Sequence, residues 1–184
     1  MDPTVELSAQ DERDWRAERQ EEIAAICWQK CEGCNGRGWN GQHWEGYGPG
    51  DAEYFVRVTC PHCDGQGQIQ LHDPWRVTAL YAAADDAREE MGVLCYTRIA
   101  SALSLAIEGA VSLPWPPTVA SQTVKGKIYT ITTRGCDCYD AYYRAPVISD
   151  QPACKHQVAV WLVKAAEKKM AEEAQFVREE RGYE

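Results

Sequence analysis

The chain has 184 residues, 45% of them apolar, and a formal net charge of −9. That is enough apolar material for one sizeable core or two small ones, and no apolar run is long enough to span a bilayer, so a soluble protein is expected. An acidic balance of this size excludes a protein that coats nucleic acid over its whole surface.

The charge is unevenly placed. Residues 118–166 carry six basic side chains (Lys125, Lys127, Arg134, Arg144, Lys155, Lys164) against three acidic ones (Asp137, Asp140, Asp150), a local +3 that leaves −12 for the rest. The expected result is a modest basic face on an acidic body. The N-terminus, MDPTVELSAQDERDW, lacks the basic and apolar regions of a signal peptide, so a cytoplasmic location with reduced thiols is expected. The nine cysteines then become informative, because short fixed spacings in a reducing compartment point to metal ligands rather than disulfides.

In chain order, residues 8–30 read as a charged helix with Ser8 as N-cap and acidic residues in its first turn. Trp15, Ile23, Ile26 and Cys27 share one stripe, which either packs on the adjoining cysteine-rich module or meets a partner. Next come Cys31-Glu-Gly-Cys34-Asn-Gly36-Arg-Gly38 and Cys60-Pro-His-Cys63-Asp-Gly65-Gln-Gly67, two copies of C-x-x-C-x-G-x-G with twenty-five residues between Cys34 and Cys60. Two residues between thiols let a tight turn offer both sulfurs to one metal, and the glycines let backbone N–H groups turn back towards the thiolates. One pair is half a tetrahedron, so Cys31, Cys34, Cys60 and Cys63 are expected to form one Cys₄ zinc site. A redox dithiol is disfavoured, since no βαβ pattern surrounds either pair.

Over residues 31–70 the octets resemble the cysteine-rich zinc finger of DnaJ-type chaperones. That family carries four such repeats where this chain has two, and the J-domain's His-Pro-Asp tripeptide is missing here. The resemblance implies the ligands and a hairpin-like fold, not co-chaperone activity.

Between the octets, the glycine-rich first half of residues 40–59, with Trp39 just before it and His43, Trp44 and Tyr47 within it, reads as a loop. Its aromatic residues either cover the zinc knuckle or contact a partner. The second half, Glu53 to Thr59, alternates as a strand leading to Cys60. His43, His62 and His72 are left out of the ligand sets, which are complete without them. Residues 74–91 and 93–110 read as two helices joined at Gly92. In the second, Leu94, Ile99, Ala102, Leu103, Ala106 and Ile107 recur at helical spacing up to a stop at Gly109. Cys27 and Cys95 fit these helical patterns as small buried apolar residues. LPWPP at 113–117 then breaks the chain, although the second helix is expected to pack on the segment beyond the break.

Thr118 to Val124 and Lys127 to Arg134 read as a hairpin turning at Lys125-Gly126. Its second strand is expected to deliver the chain directly to Cys136 and Cys138, because residues i and i+2 of a strand face the same way. After fifteen intervening residues, Cys154 and His156 open an apolar helix with Val158, Trp161, Leu162 and Ala165 as its buried stripe. A helix N-terminus favours thiolate. Cys136, Cys138, Cys154 and His156 are thus expected to clamp a ββα unit around a second zinc, with no ligand position left open for catalysis.

Over residues 95–168 this order resembles the SWIM zinc finger: CDCYDAYYRAP and CKHQVAVWLV are similar to its C-x-C-P-D-F and C-K-H-hydrophobic patterns, with Tyr139-Asp140-Ala141 in place of Pro-Asp-Phe. The likeness extends to small SWIM proteins of bacteria, phages and mobile elements, and it implies DNA binding or protein contacts. The fold class read from the sequence is α+β: a Cys₄ zinc hairpin and a ββα finger, joined and flanked by helices. The expected division is an N-terminal helix (1–30), the DnaJ-like finger (31–72), a helical hairpin (73–112) and the SWIM finger with a long C-terminal helix (113–184). The expected activity is non-catalytic nucleic-acid binding, DNA favoured, with two zinc ions as cofactors. Contacts are expected from Lys125, Lys127, Tyr139, Tyr142, Tyr143, Arg144 and Lys155; the competing class is a protein-interaction adaptor.

Overall fold

A computed structural model of the chain describes residues 9–45, 54–92, 95–143, 145, 147–148 and 151–180. They belong to two compact units, Met1–Pro74 and Trp75–Glu184. Among the described residues there are five α-helices and four small antiparallel sheets. None of the described helices is long and apolar enough to cross a membrane.

The N-terminal unit starts with α1 (Ala9–Cys27). The helix expected over 8–30 stops at Cys27, and Trp28–Lys30 form a strand instead, β1. The reason is tertiary pairing: β1 lies antiparallel to β4 (Gln68–Gln70), and the last helical carbonyl, on Cys27, accepts the Leu71 N–H at 2.7 Å. Ile23 and Cys27 of the expected stripe are buried and Ile26 is half-buried; Ser8 and the Trp15 side chain lie outside what is described. The glycine-rich segment read as a loop is also corrected. Residues Trp39–Glu45 form β2, paired with β3 (Tyr54–Thr59) through an irregularity between Trp39 and Gln42. Gly41 falls at that irregularity, where a glycine is well suited, and the ladder resumes with Gln42 opposite Arg57. Tyr47 lies outside the described residues, as do the His43 and Trp44 side chains.

The helix expected over 74–91 is α2 (Pro74–Met91), and the one expected over 93–110 is the shorter α3 (Tyr96–Ile107). Ile99, Ala102, Leu103 and Ala106 of α3 are buried, whereas Leu94 lies outside the described residues. The helix ends in a turn where Ala110 donates to the Leu105 carbonyl at 3.0 Å and Gly109 takes a φ of +72°, a glycine-type C-terminal stop. A four-stranded sheet follows: β5 (Val111–Ser112), β6 (Thr118–Ala120), β7 (Ile128–Thr132) and β8 (Gly135–Cys136) in sequential order. The hairpin strands are shorter than expected, because residues 121–127 close on themselves. Ser121 N–H donates to the Lys127 carbonyl at 2.8 Å, and its hydroxyl accepts the Val124 N–H at 3.1 Å.

Between the two ligand pairs, beyond β8, lie α4 (Tyr139–Tyr143) and the pair β9 (Val147–Ile148) and β10 (Gln151–Pro152). The C-terminal unit ends in α5 (Lys155–Glu180). Its buried side is Val158, Ala159, Leu162, Val163 and Ala166, while Trp161 and Ala165 are only half-buried. α5 packs along α3 and across β5 to β8, and Lys169 of α5 pairs with Asp86 of α2 at 2.9 Å. Leu80, Ile99, Leu105, Val119 and Leu162 are fully buried, each contributing roughly 1.5–3 kcal/mol of transfer free energy.

Candidate metal centres

The N-terminal cluster is built from one backbone turn used twice. A 3₁₀ turn, Glu32–Cys34, presents the first thiol pair, and the second pair stands 29 residues further on. The two copies hold each other: Cys31 N–H donates to the Gly67 carbonyl at 2.9 Å, and Cys60 N–H donates to the Gly38 carbonyl at 3.0 Å. The strand before each copy therefore pairs with the strand after the other. Within each copy the second glycine turns its N–H onto a sulfur, Gly38 to Cys34 and Gly67 to Cys63, both at 3.2 Å. Both glycines have left-handed φ, +78° and +77°. A Cβ on Gly38 would stand 2.2 Å from the Gly65 carbonyl oxygen, and one on Gly67 2.4 Å from that of Gly36. Only glycine fits where the two turns meet.

The four ligand sulfurs lie within 4.8 Å of one another, with Cys31 3.9 Å from Cys60 and Cys34 3.7 Å from Cys63. A tetrahedral ion with zinc–sulfur bonds of about 2.3 Å needs sulfurs about 3.8 Å apart. The cluster has that size and a donor set typical of zinc. Burial pushes the Cys34 thiol up, but the Gly38 N–H and hydrogen bonds with Cys63, Cys31 and Cys60 outweigh it and bring the thiol down to about 7. Cys63 moves the other way, pushed up to about 11 chiefly by burial. One thiolate is thus favoured before any cation arrives. His62 lies beside the cluster with Nδ1 4.0 Å from Cys60 Sγ, exposed and outside the set of four. His72 is outside that set as well.

The C-terminal cluster is assembled from unlike elements. Ile131 of β7 pairs with Cys136 of β8 across a reversal at Thr133 and Arg134. The strand after Lys127 therefore does not run straight into the C-x-C. The Thr132 hydroxyl makes this turn, donating to the Gly135 carbonyl and accepting the Arg134 N–H, both at 3.2 Å. Cys138 follows β8, and Cys154 and His156 flank the start of α5. Cys136, Cys138, Cys154 and His156 are all buried, with ligand atoms within 4.8 Å of one another and Cys136 Sγ 3.8 Å from His156 Nδ1. The hydrogen bond from Cys136 brings the Cys154 thiol down to about 4 against the effect of burial, helped by His156 and the Gln157 backbone N–H at the helix start. Cys136 is pushed up by that same bond and by burial, and Cys138 by burial first.

No known family model matches the chain, and no curated protein or solved structure matches it at a significant level. Several supporting contacts have no spacing signature: Asn40 Nδ2 donates to Cys60 Sγ at 3.4 Å, and the Ala141 N–H donates to Cys138 Sγ at 3.3 Å. Tyr129 stacks on His156 at 4.3 Å between ring centroids. Arg98 reaches Asp140 at 3.3 Å and ties α4 to α3.

Of the expected contact residues, Lys125 and Lys127 are exposed on the turn between β6 and β7, with Lys127 Nζ 4.8 Å from the Tyr129 ring centroid. Tyr139, Tyr142 and Tyr143 are exposed on α4. Lys155 is half-buried and donates to Gln122 Oε1 at 3.3 Å, and Arg144 lies outside the described residues. Cys27 and Cys95 are buried and belong to neither cluster.

Proposed function

We propose that this chain is a non-catalytic zinc-binding protein whose C-terminal finger binds nucleic acid, DNA in the first instance, with the Cys₄ hairpin as a second contact element. The observation that carries the reading is the surface beside the second cluster. Within the C-terminal unit Lys125 and Lys127, on the turn between β6 and β7, and Tyr139, Tyr142 and Tyr143, on α4, are all exposed, cations and aromatic rings of the kinds that suit phosphates and unpaired bases. Zinc is the metal that Cys₄ and Cys₃His sets of this size prefer, and four protein ligands leave it no open position, which makes the role structural. The motif resemblances point the same way, SWIM-type for residues 95–168 and DnaJ-type for 31–70.

Metal analysis of the purified protein is expected to return about two zinc ions per chain. The affinity for DNA is expected to fall steeply as salt rises, and charge reversal at Lys125 and Lys127 to flatten that slope. No binding to DNA or RNA at low salt would remove this reading.

A second reading, a protein-interaction adaptor, has one observation in its favour. A cleft of about 530 Å³ in the C-terminal unit is lined by Trp115, Ile131, Val158, Val160 and Trp161, and Trp115 is 69% exposed. Such a cleft suits the apolar anchor of a partner protein. Capture from the native host with and without nuclease separates the two: partners that survive nuclease belong to the adaptor reading.

A further inference from the structure

Resting on the nucleic-acid reading above, we infer that the ligand of the C-terminal finger is a single strand, whose unpaired bases stack on the tyrosines of α4 while one base enters the cleft between Tyr142 and Arg134. Tyr139, Tyr142 and Tyr143 are 64%, 72% and 72% exposed. Their rings cluster at tilted angles, with centroids 4.6 Å apart and planes at 36° for Tyr139 and Tyr143, and 6.4 Å and 51° for Tyr142 and Tyr143. Apolar area concentrated on one short helix and left in water marks a surface that another molecule covers. Flat π-faces suit bases, and a duplex hides its base faces within the stack.

The platform is preorganised. Arg98 holds Asp140 at 3.3 Å, the Ala141 N–H is fixed on Cys138 Sγ at 3.3 Å, and the Ala145 N–H closes the helix on the Asp140 carbonyl at 2.8 Å. Little ordering is left to do on binding. Beside it is a cleft of about 320 Å³, lined by Thr130, Thr132, Arg134, Asp137 and Tyr142 among others. That is at the lower end of the roughly 300–1,000 Å³ of small-ligand sites, with polar groups for a base edge on one wall and an aromatic ring on another. The carboxylates nearby are engaged within the protein: Asp137 Oδ1 accepts the Thr130 N–H at 3.1 Å and Asp140 faces Arg98. Arg134, Lys125 and Lys127 are exposed towards solvent. Since the whole chain carries −9, phosphate attraction alone gives weak binding, and stacking must supply the rest.

The test is fluorescence anisotropy on the full, zinc-loaded chain with labelled oligo-dT, oligo-U and a duplex DNA of the same length. Either single strand is expected to bind at least about tenfold more tightly than the duplex. Tyr142→Ala is expected to weaken single-strand binding about tenfold and leave duplex binding unchanged, whereas Arg134→Glu weakens both. Zinc content and melting temperature, unchanged in both variants, show that the fold is intact. Duplex binding as tight as single-strand binding, or a Tyr142→Ala variant with wild-type affinity, would overturn this inference while leaving nucleic-acid binding itself in place. No binding to any probe would remove the underlying reading as well.

Discussion

The N-terminal cluster is one turn used twice about an approximate two-fold axis, whereas the C-terminal cluster gathers ligands from a strand, a bend and a helix start. Their surroundings differ as much as their construction. Among the described residues of the N-terminal unit, the buried apolar side chains are Ile23, Cys27 and the four cysteine ligands themselves. The C-terminal cluster instead adjoins a layer of helix and sheet with Leu80, Ile99, Leu105, Val119 and Leu162 fully buried. A module whose described buried side chains are mostly its own metal ligands draws much of its folding free energy from the metal, while a module with a described apolar core needs the metal mainly to position what it displays.

The sharpest way to break this contrast is to remove the metal. A structural zinc supplies roughly 10–16 kcal/mol in small modules, so chelation, or Cys63→Ser, is expected to abolish the fold of residues 28–70. NMR amide dispersion would collapse there, while α2, α3 and α5 keep most of their helical circular dichroism. Equal survival of both units would show that the N-terminal fold does not depend on metal. Next in size is Gly38→Ala, whose Cβ would stand 2.2 Å from a carbonyl oxygen at a φ of +78°. Overpacking and left-handed strain together cost roughly 4 kcal/mol, read as lost zinc affinity in competition with a chelator. Gly67→Ala should lose about as much, and unequal losses would refute the two-fold equivalence of the turns.

Core truncation tests the other side of the contrast. Leu162→Ala removes a fully buried side chain where α5 packs and is expected to cost about 3 kcal/mol in the C-terminal unit. Thermal unfolding measures that cost, and the N-terminal site should keep its zinc affinity. A loss of N-terminal zinc in this variant would mean that the helical core supports that site too.

Both ligand sets were legible from spacing, because metal geometry imposes a strict pattern on sequence: C-x-x-C-x-G-x-G repeated, and C-x-C with C-x-H. Helical spacing likewise located α3 and α5, where Ile99, Ala102, Leu103 and Ala106 and then Val158 and Leu162 are buried as expected. What spacing could not show is what long-range pairing decides. Trp28–Lys30 looks like the last turn of a helix and becomes a strand because Gln68–Gln70 lies beside it. Gly41 sits in a run that looks like loop, yet it lies within β2, at the break in register between Trp39 and Gln42, with the paired residues 42–45 after it carrying the strand on. The reversal at Thr133 and Arg134 depends on a hydroxyl hydrogen-bonding its own neighbours, and the ring of Tyr129 on His156 spans too many residues for any local signal.

The smallest expected effect concerns how α4 is held. Arg98 and Asp140 face each other at 3.3 Å with side chains 23% and 34% exposed, between the surface regime and the buried one. Asp140→Asn keeps the shape and removes the charge, so the expected cost is about 1 kcal/mol or less, shrinking as salt screens the wild-type pair. Melting temperatures at low and high salt read this difference directly. A loss as large as that of Leu162→Ala, or one unchanged by salt, would show that Asp140 acts through more than its charge. The size of the loss then separates two ways of holding α4. A small, salt-sensitive loss leaves α4 fixed mainly by the metal through Cys138 and the Ala141 N–H, and a large one makes the ion pair an equal partner.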